Sequence, residues 1–494
     1  MLKFNLFSRL GIEGDRKTWT RIFLICFLVY FFSAKGYLEV LDTSYSLQTA
    51  ESMVTRGDLS IQHQYGFAMQ GPNGLSYSKY GIGLPLYFVP WVLAGHGLSA
   101  WTGLPESEIT GFLISFANIP VALLTLLVFI KLLQFFKIGQ KNSYLITIAL
   151  GLGTLVWVYA VSDFSEQLQM LLLLVAVYGV LKGTPKALTF AGVGFGLLIL
   201  VKLIHVVLLP AFGLYLLLKP GEVLLQRVIR VLWFSWPIWL TIIILAAFNA
   251  YRFGNLLESG YGTESSEFYP SQMRYSIPEL LISFNKGLLV FSPVLILSLL
   301  GWWRFFRQYA WEASFFMTLV LMNLLFMGSW WAWNGGWCWG PRLLVPLIPL
   351  WLLPLAFWLH SILRLRIAML VIIVSIVAQL PGVLIKMQQV PAIKDRVYTV
   401  KEYPFAPSDY KAAWIFLLHK LNNTEEVYSV SDFGIEGNRE FNFKEYDTYQ
   451  GFNIWTEQMA RHFNKPFIRW LLLPGVLMVL YLLAALIRGQ ISNK

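Results

Sequence analysis

Runs of about 20 mainly apolar residues recur along most of this chain, the length an α-helix needs to cross the hydrocarbon core of a bilayer. Candidate spans lie near 21–38, 111–131, 143–160, 167–182, 187–202, 204–219, 231–249, 287–303, 313–331, 343–360, 367–385 and 469–487, about twelve in all. In lipid each backbone N–H and C=O must find its partner inside the protein, so such runs can only become helices. Composition agrees. Of the 494 residues, 57% are hydrophobic and 13% charged, against about 45–50% and 25% in soluble domains. A soluble enzyme, a disordered chain and a fibrous repeat are excluded. The expectation is an all-α polytopic membrane protein. The first run, Ile22 to about Val40, is too long for a signal-peptide core and no small-residue cleavage site follows it, so it reads as a retained transmembrane helix.

Lys and Arg total 38 and Asp and Glu 27, a net charge of +11. In a soluble chain that excess would suggest nucleic acid; here loop charge explains it, and no nucleic-acid partner is expected. With the N-terminus cytoplasmic, the inner segments hold Arg16, Lys17 and Arg21, then Lys131, Lys137 and Lys141, Lys182 and Lys186, Lys219, Arg227 and Arg230, Arg304 and Arg307, Arg364 and Arg366, and finally Arg488. Parity and charge agree on cytoplasmic N- and C-termini and an even number of spans. Cys26 and Cys338 form neither a disulfide framework nor a metal motif.

Three segments on the opposite, outer side are too long for turns: 39–110, 250–286 and the stretch before the last span. The organisation expected is a transmembrane domain over 1–385 with a catalytic outer loop at 39–110, a small ordered outer region at 386–468, and a final helix with a cytoplasmic tail at 469–494. In the first loop, Leu41, Tyr45, Thr49 and Met53 recur at helical spacing, which predicts an amphipathic helix lying at the interface. Asp42 stands where such a helix would be capped, so it reads equally as an N-cap or as a functional carboxylate. Further on, Lys79 is flanked by Tyr77 and Tyr80. That pattern suits an interfacial anchor, or a cation aimed at a phosphate.

Asp163 and Glu166 occupy a short outer turn, where ionisable groups at membrane depth point to function, although a solvated helix cap reads as well. Lys202 lies between the fifth and sixth spans, able to snorkel or to neutralise a buried anion. His205, beside it, carries no functional expectation. The second outer loop includes Arg252. The stretch Trp330 to Arg342 has five tryptophans in ten residues, among them Trp337. Such density serves membrane anchoring or sugar rings, which favour aromatic faces beside polar groups. Arg342, at the mouth of a helix, has the fork geometry for a phosphate.

The layout resembles the GT-C superfamily of integral membrane glycosyltransferases, above all the protein O-mannosyltransferases and the lipid A aminoarabinose transferases. The shared features are an acidic residue directly after helix one, a lysine motif followed by proline near the end of that loop (Lys79 to Pro85), and a carboxylate after helix three. The stretches Gly287 to Pro293 and Gly335 to Arg342 add to the likeness, which covers about 20–350. The resemblance implies Asp42 as catalytic acid/base, Lys79 on a lipid phosphate and Asp163 as the second-loop carboxylate. Glu166 joins the catalytic candidates. Tyr77, Tyr80, Arg56, Lys202, Arg342 and Trp337 join the substrate-binding ones. A divalent metal at Asp42 and Asp163 is the cofactor the resemblance raises. This chain has Thr43 where many members have a second acid, and Ser78 where the aminoarabinose branch has an acid before the lysine, which leaves metal dependence open.

The expected function is inverting transfer of a sugar from a polyprenyl-phosphate donor to a hydroxyl of a glycan, lipid or protein, on the outer face of a bacterial inner membrane. The rival readings are a polytopic transporter, a lipid-linked glycan flippase and an oligosaccharide ligase. No half-to-half similarity of the kind many transporters carry is visible.

Overall fold

In the computed structural model the described residues are 7, 11–62, 68–262, 266–386, 390, 408–422, 427–429, 440–442 and 452–491. The helices are α1 (Arg16–Ser33), α2 (Leu41–Thr55), α3 (Gly83–Thr102), α4 (Glu106–Ile114), α5 (Asn118–Phe135), α6 (Gln140–Leu152), α7 (Val156–Ala160), α8 (Glu166–Lys182), α9 (Pro185–Val201), α10 (Leu209–Leu218), α11 (Leu224–Phe253), α12 (Met273–Ile282), α13 (Leu288–Phe291), α14 (Val294–Leu299), α15 (Trp302–Gln308), α16 (Ala310–Ser329), α17 (Ile348–Leu352), α18 (Leu355–Trp358), α19 (Ile362–Leu384), α20 (Asp409–Asn422), α21 (Trp455–His462) and α22 (Leu472–Ile491). Two short antiparallel pairs complete the described elements: β1 (Ala68–Gln70) with β2 (Ser76–Ser78), and β3 (Val427–Ser429) with β4 (Glu440–Asn442).

The chain is an all-α integral membrane protein in outline, but about twelve unbroken spans is not what the helices provide. Among the described residues five are long and apolar enough to cross a membrane: Glu106–Phe135, Leu224–Phe253, Ala310–Ser329, Ile362–Leu384 and Pro466–Leu486. Other predicted spans are short or broken. The run near 287–303 becomes α13, α14 and α15, and that near 343–360 becomes a 3₁₀ turn (Arg342–Leu347) followed by α17 and α18. Pro293, Pro346, Pro349 and Pro354 interrupt the backbone ladder there. The two broken segments pack on each other closely enough that a Cβ on Gly301 would stand 1.8 Å from the Pro354 carbonyl oxygen. The Ser298 hydroxyl donates to the Trp351 carbonyl, one way in which a buried broken helix satisfies its backbone.

The first helix also differs from expectation. It starts at Arg16, because the Asp15 carboxylate accepts from the amides of Lys17 and Thr18, and it ends at Ser33. The residues 34–40 then run as a non-helical link to α2. In the first loop α3 is apolar on both sides: Leu84, Phe88 and Val92 are buried while Leu86, Leu93 and Trp101 are exposed.

The helices that carry the site are held by small residues. A left-handed Gly183 (φ 66°) turns α8 directly into α9, whose start is capped by Thr184. On α9, Gly192 and Gly196 face α11. A Cβ at either would meet the Phe234 carbonyl oxygen at 2.1 Å or the Thr241 hydroxyl at 2.2 Å. In lipid, such close approach replaces the hydrophobic driving force that is missing between helices. The opposite side of α11 shows Trp236, Trp239, Leu240 and Ile243 to the surroundings.

Most of the region 386–468, expected as a small ordered unit, lies outside the described residues. Its described part includes α20, which docks through Tyr410. That ring stacks on Trp339 at 5.6 Å and meets Phe291 edge-on at 5.2 Å.

Candidate active site

Five loop or helix-end segments converge at one end of the bundle. The Asp42 carboxylate accepts a hydrogen bond from the Tyr80 hydroxyl at 2.7 Å and an ion pair from the Arg342 guanidinium at 3.3 Å. Lys202 stands beside them, paired with Glu166 at 3.4 Å. These five residues, with Thr43, Ser46 and Phe164, line a cavity of about 390 Å³ counting its open mouth. The second carboxylate oxygen of Glu166 and the Nε of Arg342 are buried without a partner among the described residues.

Local sequence explains this convergence. Val40, not Asp42, is the N-cap residue of α2, and no side chain caps it. Asp42 falls in the first turn, free of capping duty, with its carboxylate on the cavity side. The hairpin β1–β2 pairs Met69 with Tyr77 and so delivers Lys79 and Tyr80. The next residues press on the end of α9: a Cβ on Gly81 would lie 2.1 Å from the Leu200 carbonyl oxygen and one on Gly83 2.5 Å from the Val201 amide. Only glycine fits, and the contact brings Tyr80 next to Lys202. Arg252, at the end of α11, donates to the Ser78 carbonyl and, at 3.4 Å, to that of Tyr80, and stacks 3.7 Å from the Phe248 ring. Sequence reading passed over this residue. Its signal was a cation in the last turn of a long apolar helix.

Electrostatics separate the two aspartates. Burial pushes the Asp42 carboxyl up, but Arg342, the Tyr80 hydroxyl and Lys202 outweigh it and hold its pKa below the ordinary aspartate value. Burial and the neighbouring Asp42 charge drive the Tyr80 phenol well upward, so it stays a donor. Asp163 is pushed up to about 7 by burial and by Glu39, against the lowering effect of backbone amides. Its carboxylate accepts from the amides of Val40 at 3.1 Å and Glu39 at 3.4 Å, and its carbonyl accepts from the Thr43 hydroxyl at 2.7 Å. Asp163 thus anchors the entrance to α2 and is not among the residues lining the Asp42 cavity.

The remaining sequence candidates fall at varied distances. Lys79 is buried one residue from Tyr80, its ammonium 5.4 Å from the Tyr261 ring and 5.9 Å from that of Tyr80, and it does not line the cavity. Tyr77 is buried, with its hydroxyl accepting from Asn73 at 2.7 Å. Arg56 pairs with Asp58 at 3.3 Å beyond the far end of α2, about 21 Å along the axis from Asp42 at 1.5 Å per residue. Trp337 lines a second, smaller chamber that shares Phe164 with the first. No group of three or more His, Cys, Asp or Glu side chains suited to a metal occurs among the described residues. Asp42 and Asp163, the pair considered for one, are engaged by Arg342 and by backbone amides respectively.

No family model matches the chain, and no curated protein matches it in sequence. Solved structures do. ArnT from Cupriavidus metallidurans bound to undecaprenyl phosphate aligns with 96% of this chain and 76% of its own, at 15% identity and a TM-score of 0.50.

This chain shares the fold of ArnT.

The apo form of that protein aligns at a TM-score of 0.48. The archaeal oligosaccharyltransferase AglB from Archaeoglobus fulgidus, in complex with an inhibitory peptide and a dolichol-phosphate, aligns with 76% of this chain and 56% of its own, at 12% identity and a TM-score of 0.46. The fold implied by the GT-C resemblance is therefore the fold observed.

Proposed function

We propose that this protein is an inverting membrane glycosyltransferase that moves a sugar from a polyprenyl-phosphate donor to an acceptor hydroxyl. The observation that carries the reading is the cavity that sets one ionised carboxylate, Asp42, against two cations, Lys202 and Arg342. Support for the lipid comes from ArnT, which shares the fold and was crystallised with undecaprenyl phosphate.

In this mechanism Asp42 accepts the proton of the acceptor hydroxyl as its oxygen attacks the anomeric carbon. The bond from that carbon to the phosphate oxygen breaks, and its electron pair leaves with the phosphate. Lys202 and Arg342 stabilise the charge that develops there. A single displacement inverts the anomeric centre. Tyr80 orients Asp42, and Glu166 orients Lys202. Asp163 acts at one remove, as a positioning residue for the start of α2. Lys79 adds positive field from behind Tyr80, and Trp337 lies on the acceptor side.

Arg342 gives the arrangement an order. While it pairs with Asp42 it holds the carboxylate ionised but weakly basic. When it turns to the donor phosphate, Asp42 loses that stabilising partner and becomes the stronger base. Donor binding thus prepares the base. The site opens to the outer leaflet of a bacterial inner membrane, with both termini cytoplasmic, where lipid-linked rather than nucleotide-linked sugars are the available donors.

The test is transfer by purified protein in proteoliposomes with a labelled undecaprenyl-phosphate sugar. Product should form with the wild type and not with Asp42→Asn. Lipid movement without sugar transfer would replace this reading with the flippase one.

A further inference from the structure

Beside the Asp42 cavity, and divided from it by Phe164, lies a second chamber lined by Lys35, Glu39, Ser162, Trp337 and Trp339 among others. We propose that this chamber binds a neutral, hydroxyl-rich sugar ring. The inference rests on the glycosyl-transfer reading in one respect: the ring would be one of the two sugars that meet at Asp42.

Three features point to that ligand. The first is a pair of indoles in different states. Trp337 is 51% exposed and Trp339 is 1% exposed, so one offers a face at the mouth and the other forms the floor. Aromatic faces of this kind pack on the C–H face of a pyranose. The second is an orphaned donor. The Trp339 indole N–H is buried with no partner among the described residues. A buried donor without an acceptor is costly, and a ligand hydroxyl oxygen would satisfy it. Gly382 holds this indole in place: a Cβ there would lie 2.7 Å from its Nε1.

The third is a fixed carboxylate. Glu39 accepts from the Asn453 side-chain amide at 3.3 Å, and Asn453 in turn accepts from the Tyr37 hydroxyl at 2.9 Å. Asp163 grips the Glu39 backbone from behind. A carboxylate with a free edge is the usual acceptor for adjacent hydroxyls. Charge excludes an anion. The Lys35 ammonium is committed to the Val383 carbonyl, and Glu39 and Asp163 stand beside it. An uncharged polyol is favoured over a phosphate, which belongs at Lys202 and Arg342 in the neighbouring cavity.

The experiment uses the full chain in nanodiscs. A panel of methyl hexopyranosides is titrated by saturation-transfer NMR, and undecaprenyl phosphate is titrated separately. At least one glycoside should bind the wild type. Glu39→Gln and Trp337→Ala should each weaken it by about tenfold or more, equivalent to about 1.4 kcal/mol, with undecaprenyl phosphate binding unchanged. Trp337 is half exposed, so its variant should fold even if the Glu39 variant does not. Glycoside binding that is equal in wild type and Trp337→Ala, or no binding by any member of the panel, overturns the proposal. Loss of undecaprenyl phosphate binding in the wild type, with glycoside binding intact, sinks the donor reading but leaves the chamber. Competition by undecaprenyl-phosphate mannose would assign the ring to the donor; simultaneous binding would assign it to the acceptor. Both results uphold a sugar site.

Discussion

Asp42 and Asp163 sit on adjoining segments of the same end of the bundle, yet their surroundings act in opposite directions. Asp42 faces a guanidinium, an ammonium and a phenol, and stays ionised. Asp163 faces a second carboxylate in a buried setting and is pushed up to about 7. One is placed to exchange a proton with a ligand in a cavity, and the other to tie a helix entrance to a turn. Residue type is the same; neighbours assign the role.

The largest test of this contrast is a pair of isosteric changes. Asp42→Asn should lower transfer by about 10²–10⁴-fold, the usual worth of a general base, without loss of undecaprenyl phosphate binding. Asp163→Asn keeps an oxygen for the Val40 amide and should lower transfer by less than about tenfold. Equal losses, in proteins of equal stability, would erase the distinction between the two regions.

Next come the cations. Lys202→Ala and Arg342→Ala should each lower kcat by about 10²–10³-fold, as for loss of one group stabilising a leaving oxyanion, measured by initial rates in proteoliposomes. The pH profile sharpens the comparison further. With Arg342 removed, Asp42 loses the partner that depresses its pKa, so the acid limb of the rate profile in Arg342→Gln should move upward by about 1–3 pH units. No movement would detach Arg342 from Asp42.

Stability should titrate through the other aspartate. The folded-state pKa of Asp163 is raised, so the folded protein holds its proton more tightly than the unfolded chain. Its stabilising contribution is therefore full below about pH 4 and is lost as pH rises to about 7. Thermal melts of the wild type should show that decline, and those of Asp163→Asn should show less of it. The smallest effect is expected from Lys79→Ala, which should raise the donor KM by under about tenfold, because its ammonium lies behind Tyr80 and acts only through the local field. A loss of activity as large as that from Lys202→Ala would place Lys79 on the phosphate after all.

Much of this could be read from the chain. Apolar runs identify the helical segments, and the pairing of Asp42 with Tyr80, Lys202 and Arg342 unites residues that motif reading picks out from four separate stretches. The number of unbroken helices was less legible, because an apolar run records burial and not continuity. Pro346, Pro349 and Pro354 sit in a run as apolar as any other, and it divides. Arg252 was obscured for a different reason. Its value lies in the carbonyls of Ser78 and Tyr80, far away in sequence, and no local pattern marks a backbone contact.

By itself the sequence determined where the chain must be helical and apolar, since a bilayer leaves backbone polar groups no other partner, and it determined which charged side chains stand at helix ends. Only the tertiary structure decided which of those charges meet. Ion pairs such as Arg342 with Asp42 depend on glycine-permitted helix approaches and on the path of a hairpin. Small displacements there would change the electrostatic environment of each carboxylate, and with it the chemistry available to it.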